Sequence, residues 1–454
     1  MIFEFYGKKL LKVSVPLILS SSIWTIQHFV DRMFVSWYSV KALAAVLPAS
    51  FLNLTTTSIF IGTAYFVNTF VAQYYGAKKY EKIGEIVWQG LYWALIGGIF
   101  HLFLIPFAPE IFKIFGHEKE VLHYETIYFQ IVCTGAFAAI GSASVSSFFS
   151  GQGKTKIVLF VSFLQTSLNL ILDYILIFGK FGFPQMGIKG AGIATVISGY
   201  ISLLIYLILF FDRNNRIFGT LNFKLNVEIF KRLLKYGVPN GIQFFLDIFV
   251  WTIFLLVIGR QGVIPLSSSN IAFNINTIAF MPMLGIGTGV SILVGQYIGR
   301  EEPEIGEKIT YIGFWITFIY MCSIALSYVV FPEFYIKFFK PKVYTADFNK
   351  VKDLTIILLK FVAFYSIFDT MNVIFLSGLR GAGDTKFIMF VFVLSSIFIF
   401  LVPLYICTFI FNHGIFVSWT IATLYVILIG FIFFIRFHKG NWKKMKIIER
   451  SVFI

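Results

Sequence analysis

Four carboxylates stand inside long apolar runs of this sequence: Asp31, Asp173, Asp247 and Asp369. Each has a hydrogen-bonding residue four positions earlier, namely Gln27, Asn169, Gln243 and Tyr365. Residues at i and i+4 share a helix face, so every carboxylate has a polar neighbour one turn away. Gln165 extends the stripe before Asp173 by a further turn, and Asn240 that before Asp247. Oxygen-rich faces of this kind hold Na+ or a shared proton. A carboxylate at the centre of a membrane helix costs at least about 2.5 kcal/mol on insertion scales, so these four are expected to face a cavity or one another. The alternative reading makes them polar glue between helices, satisfied by neighbours and never titrating. His28, three residues before Asp31, shares its face, whereas Arg32 points away and snorkels or pairs elsewhere. Asn53, Asn270, Asn274 and Asn276 suit either cavity lining or interhelical hydrogen bonding.

The elements that carry these residues follow from composition. Of 454 residues, 58% are hydrophobic and 13% charged, and mean hydropathy is +0.83. One crossing takes about 20 mostly apolar residues, so the chain supplies roughly a dozen spans, which excludes a soluble enzyme. Apolar windows and turn residues place spans near 13–37, 44–73, 84–107, 122–149, 157–179 and 190–211. A second set lies near 232–259, 266–298, 305–331, 351–379, 386–410 and 414–436. Uniformly apolar runs of this length are helices and not barrel strands. Pro16, Pro48, Pro239, Pro282 and Pro403 fall within spans, where proline bends a helix. The opening MIFEFYGKKLLK leads straight into a span without a small-residue cleavage site, so no removed leader is expected. Cys133, Cys322 and Cys407 have neither CxxC nor His-Cys spacing, which predicts no disulfide, metal or cofactor.

The chain repeats itself. Val71-Ala-Gln-Tyr-Tyr-Gly76 recurs as Val294-Gly-Gln-Tyr-Ile-Gly299. Ser150-Gly151 with Gly153-Lys-Thr-Lys156 recurs as Ser377-Gly378 with Gly383-Asp-Thr-Lys386. Two matches in order, at nearly one offset, mark an internal duplication. Six spans per copy return the chain to the same side, so the copies are expected to form two six-helix lobes related by an axis along the membrane normal. The expected layout is an N-lobe over 1–211, a linker over 212–231, a C-lobe over 232–436 and a basic tail over 437–454. The basic stretch Val227 to Tyr236 is amphipathic and is expected to lie on a membrane surface.

The net charge of +15 sits in short clusters between apolar runs, which fits cytoplasmic loops and not nucleic-acid binding. Segments on the side holding both termini carry 24 of the 37 basic residues and the opposite loops 11, with Arg32 and Lys360 inside spans. The opposing cluster is Lys337, Lys340, Lys342, Lys350 and Lys352, before the tenth span. Gly381-Ala-Gly383-Asp384 matches the GxGD pattern of intramembrane aspartyl proteases. Asp384 falls at a span boundary opposite Lys154 of the other repeat, so the segment reads as a glycine turn capping a helix, and no enzyme is expected.

Val30-Asp31 with Ala42-Leu-Ala-Ala-Val46, and Asn169 through Asp173-Tyr-Ile-Leu-Ile-Phe-Gly179 with Gly190-Ala-Gly-Ile-Ala-Thr195, carry a family likeness. So do Gly237-Val-Pro239 with Asp247, and Tyr365 with Asp369 followed by Ser377-Gly-Leu-Arg-Gly381. Over almost its whole length the chain resembles the multidrug and toxic compound extrusion (MATE) transporters of the multidrug/oligosaccharidyl-lipid/polysaccharide exporter superfamily. The resemblance implies a V-shaped pair of lobes in a prokaryotic plasma membrane, alternating between outward and inward openings as a monomer. It implies export of small organic cations in exchange for Na+ or H+, with membrane lipid as the surroundings. One branch of the family places its ion site in the N-lobe, at positions matching Asp31, Asn169, Asp173 and Thr195; another implicates C-lobe acids matching Asp247 and Asp369, with Tyr365 beside them. This sequence has Asp at 247 where the second branch usually has Glu, and Arg32 after Asp31. The N-lobe set is favoured for coupling, because four oxygen-bearing side chains come from three spans there. Gln27, His28, Asn53, Gln165, Asn240, Gln243 and Asn274 are expected as cavity lining. The alternative cargo within the superfamily is a lipid-linked saccharide, whose phosphates call for a cation-rich cavity.

The charge count predicts cytoplasmic termini. In a background without the native cysteines, a cysteine at Lys439 is expected to resist a membrane-impermeant maleimide in intact cells, while one at Asn412 reacts. Labelling at Lys439 would reverse the orientation.

Overall fold

The computed structural model describes residues 2–114, 116–340 and 346–449. Lys342 and the tail beyond Glu449 lie outside the described residues. The described chain is helical. The first repeat comprises α1 (Ile2–Tyr38), α2 (Val40–Tyr65), α3 (Val67–Gly76), α4 (Glu81–Leu104), α5 (Ala108–Lys113), α6 (Lys119–Thr134), α7 (Ala136–Gly151), α8 (Thr155–Phe178) and α9 (Ile188–Phe210). The second comprises α10 (Val227–Arg260), α11 (Val263–Gly299), α12 (Pro303–Val330), α13 (Pro332–Ile336), α14 (Ala346–Ala382), α15 (Thr385–Leu394), α16 (Val402–Tyr405) and α17 (Ile415–His438). Eleven helical stretches are long and apolar enough to cross a membrane, and α6 with α7, bent by 42° at Gly135, brings the number to twelve. This is the expected all-α membrane architecture. Pro16, Pro48, Pro239 and Pro282 lie inside continuous helices. Pro403 lies in α16, between two π-helical stretches.

Packing divides the chain into a C-terminal unit, Met1–Ile18 with Gln243–Lys446, and an N-terminal unit, Leu19–Ile242 with Ile447–Ile454. The chain therefore changes unit inside α1 and inside α10, just after Pro16 and Pro239. Glycines admit both exchanged segments. In the C-terminal unit a Cβ on Gly285 of α11 would lie 2.8 Å from the Ile18 backbone nitrogen, and one on Gly289 2.1 Å from the Ser14 hydroxyl. In the N-terminal unit a Cβ on Gly241 of α10 would lie 2.3 Å from the Ile59 carbonyl oxygen of α2. Each repeat thus lends the start of its first helix to the other repeat's unit.

The segment between repeats is clamped onto α4. Trp88 Nε1 donates to Thr220 O (2.9 Å), Gln89 Nε2 to Lys224 O (3.2 Å) and the Tyr92 hydroxyl to Phe223 O. Asn226 Nδ2 donates to Glu85 Oε1 (2.7 Å), while Asn226 Oδ1 accepts from the Glu228 and Ile229 amides and so caps α10. Because that cap starts the helix at Val227, the stretch expected on the membrane surface is instead the first turns of α10. Ile229 and Leu233, one turn apart, are buried in the core of the N-terminal unit.

The tail is likewise packed rather than free. Trp442 is fully buried and stacks on Phe437 at 4.6 Å, and Lys443 and Lys446 pair with Glu307 (2.6 Å) and Glu301 (2.9 Å). The Lys446 ammonium holds the Glu301 carboxyl below its ordinary range. Within the N-terminal unit, Ile447 and Ile448 are buried and Glu449 accepts from Arg232 Nη1 (2.7 Å). Asp384 takes the position before α15 after the left-handed Gly383 (φ +97°), but its side chain does not cap the helix. It pairs with Arg436 (2.8 Å) instead, so the turn is glycine-made and the carboxylate ties α17 down.

Gly219 and Gly440 both adopt left-handed φ, +68° and +72°, yet only at Gly219 would a Cβ collide with backbone, 2.2 Å from Glu81 O. An L side chain in this region costs roughly 1–2 kcal/mol. Gly219→Ala should therefore lower the melting temperature of the detergent-purified protein clearly more than Gly440→Ala; equal shifts would contradict the clamp.

Candidate functional site

The N-terminal unit collects its acids from two helices. Asp31 lies past the unit boundary on α1, and Asn169 and Asp173 lie one turn apart on α8. The Asp31 and Asp173 carboxylates face each other closely enough to act on one another's charge. Asp173 is 1% exposed and the Asp31 side chain 17%. Both oxygens of Asp173, Oδ1 of Asp31 and both ends of the Asn169 amide are buried without a hydrogen-bond partner. Buried polar atoms in native proteins are normally satisfied, so this cluster has the donor-poor, oxygen-rich chemistry that a proton or small cation completes.

Tyr128 of α6 joins the same cluster. Its hydroxyl lies near Ser50 on α2, Thr195 on α9 and both carboxylates. Thr195 Oγ1 also donates to Ala191 O (3.0 Å), the ordinary back-bond of a helical threonine. Asp31, Asp173, Thr195 and Tyr128 therefore meet from four helices, with Asn169 one turn below Asp173. Gln27 is buried and accepts from Thr166 Oγ1 (2.9 Å), which turns it into a brace between α1 and α8. His28 Nδ1 stands 4.0 Å from Asp31 Oδ2, beyond hydrogen-bond length, with its ring edge-on to Trp24. Arg32 is exposed and Gln165 half-buried. Asn53 has a buried, unpartnered Nδ2, and its carbonyl accepts from Thr57, whose hydroxyl also contacts His101 Nε2 at 3.0 Å.

The C-terminal unit holds the second acidic group. Asp247 of α10 is exposed at the surface of the unit, while Asp369 of α14 is 8% exposed and accepts from Asn372 Nδ2 (2.9 Å). The two carboxylates feel each other's charge. The Tyr365 hydroxyl accepts from Asn276 Nδ2 (3.3 Å), and the Oδ1 atoms of Asn276 and Asn372 are buried without partners. Gln243 is buried and its Oε1 accepts from Arg380 Nη2 (2.8 Å). Arg380, counted among the loop residues from sequence, lies inside α14, because that helix runs to Ala382. Asn240 belongs to the N-terminal unit and donates to Gly62 O (2.7 Å). Asn274 is exposed and donates to Asn270 O of its own helix (2.7 Å).

Sequence reasoning missed Tyr128 and Arg380. Tyr128 is one of 22 tyrosines, and the acid at helical spacing from it, Glu125, bonds His117 (2.8 Å), so no local signal points from Tyr128 to the cluster. Arg380 stood one residue past the expected end of its span.

Comparison with known proteins agrees with this architecture. The MatE family profile matches residues 16–175 and 239–406, one block in each repeat. The chain is 25% identical over 450 residues to the probable multidrug resistance protein NorM of Thermotoga maritima, covering 98% of this chain and 95% of that protein. It is 27% identical over 383 residues to the multidrug resistance protein NorM of Vibrio cholerae, covering 83% and 82%. Among solved structures, a MOP superfamily transporter from Pyrococcus furiosus superposes with a TM-score of 0.87 at 19% identity, covering 97% of both chains. A MATE transporter described in an outward-facing conformation superposes with a TM-score of 0.86 at 19% identity, covering 97% of both. With both repeats matched and the full length aligned, the chain belongs to the MatE family of multi-span membrane transporters.

Proposed function

We propose that this transporter exports organic cations across a prokaryotic plasma membrane by exchanging them for Na+ or H+. The observation that carries the reading is the facing Asp31 and Asp173 carboxylates, with Asp173 unpartnered at both oxygens. Two carboxylates this close in a water-poor site repel unless a proton or cation lies between them. Asp31, Asn169, Asp173 and Thr195, with Tyr128, form the coupling site; Asp247, Asp369 and Tyr365 form the acidic surface that receives cationic cargo. Filling the first site removes negative charge and favours cargo release, and emptying it restores the attraction. One charge crossing 100 mV supplies about 2.3 kcal/mol, and a tenfold ion gradient about 1.4 kcal/mol, enough to sustain a substantial cargo gradient. The names of the NorM relatives support multidrug cargo for this chain too. Saccharide cargo carried on lipid phosphates fits less well, since four carboxylates stand in the two sites against two cations, Arg380 and the exposed Arg32.

In proteoliposomes, Asp31→Asn is expected to abolish gradient-driven efflux of a fluorescent cation at undiminished protein insertion, and unchanged efflux would refute the coupling role. Imposing Na+ and pH gradients separately on the wild type identifies the ion. Tyr128→Phe removes one hydroxyl from the cluster and should weaken coupling-ion binding by about tenfold, the worth of one hydrogen bond, read as a shifted half-saturating ion concentration. A Tyr128→Phe protein with the wild-type ion dependence would remove Tyr128 from the site.

A further inference from the structure

Arg380 takes no part in the exchange steps above, and its surroundings are unusual for a half-buried cation. It projects from α14 to α10, where Nη2 meets the neutral amide of Gln243 at 2.8 Å, and its Nε is buried without a partner. Among the described residues no carboxylate comes within 4.0 Å of the guanidinium. The nearest acid in sequence on the facing helix is Asp247, one turn beyond Gln243, and the two charges act on each other. Asp369 lies eleven residues earlier on α14, three turns along nearly the same face. Gly381 fixes the backbone here, since a Cβ on it would lie 2.4 Å from Ser291 O of α11. The turn itself does not demand arginine: between the matched Ser-Gly and Gly-x-Thr-Lys motifs the first repeat has Gln152 alone, where the second has Leu379-Arg-Gly-Ala382.

We infer that Arg380 is a specificity-determining residue, a resident cation that sets the charge of the cargo taken by the acidic group of the C-terminal unit. This rests on the cation-export reading of that group. A guanidinium keeps its charge at any physiological pH. Held by an amide rather than a carboxylate, its field is not cancelled locally and reaches Asp247, which in turn acts on Asp369. Two carboxylates and one fixed cation leave a net charge of −1, which a monovalent cation balances. A second cargo charge meets the guanidinium's field without a carboxylate left to answer it. At about 10 Å and an effective dielectric near 20, one fixed charge changes the binding of each cargo charge by about tenfold.

The test uses purified full-length protein in detergent, with tetraphenylphosphonium as a permanent monocation and methyl viologen as a permanent dication. Arg380→Gln should raise affinity for the dication relative to the monocation by about tenfold, and Arg380→Lys should keep the wild-type ratio. Gln243→Glu retains the arginine but neutralises it in place, so it should shift the ratio as Arg380→Gln does, and it keeps the inference open to refutation if Arg380→Gln fails to fold. An unchanged ratio in folded Arg380→Gln or Gln243→Glu overturns the inference, as does an equal shift in Arg380→Lys. Wild-type protein that binds neither cation overturns the cation-export reading itself, and this inference with it.

Discussion

Two carboxylates cannot remain close together, dry and both charged. That constraint governs the N-terminal unit, where Asp31 and Asp173 face each other among side chains that offer oxygen and few hydrogens. Everything around the pair fixes it in place. Gln27 is braced by Thr166, so α1 and α8 hold their spacing. Tyr128 brings α6 to the pair, near Ser50 of α2 and Thr195 of α9. A site held from so many helices responds to losing or gaining one positive charge as a unit, because no single side chain can turn away to find water.

The duplicated halves solve the same architectural problem with different charges. After α7, Lys154 reaches Asn215 (3.4 Å) beyond the end of α9; after α14, Asp384 reaches Arg436 (2.8 Å) at the end of α17. The contact recurs, and its sign is inverted. The acid groups diverge similarly. In the N-terminal unit Arg32, next to Asp31 in sequence, is exposed, whereas in the C-terminal unit a half-buried guanidinium bonds Gln243, one turn from Asp247. Two copies of one fold thus offer two electrostatic environments.

Much of this was legible before any coordinates. Helical spacing alone drew attention to the four aspartates and their i−4 companions, because polar residues are conspicuous against an apolar background. Span ends were harder, since a helix that continues past the membrane looks like a loop in a hydropathy reading. For that reason Arg380 was assigned to a loop and the start of α10 to a surface helix. Tyr128 was invisible for another reason: its partners come from α2 and α9, and tertiary contacts leave no periodic trace. Asn274 shows the converse, a polar residue in a span whose bond is spent on its own helix.

The crossing points inside α1 and α10 bear on the ancestry of the chain. Each repeat finishes its packing only with a helical arm contributed by the other, so a gene cut between the copies would yield two polypeptides that each lack a piece of their own core. A single-copy ancestor with this geometry would have been a homodimer that traded N-terminal arms.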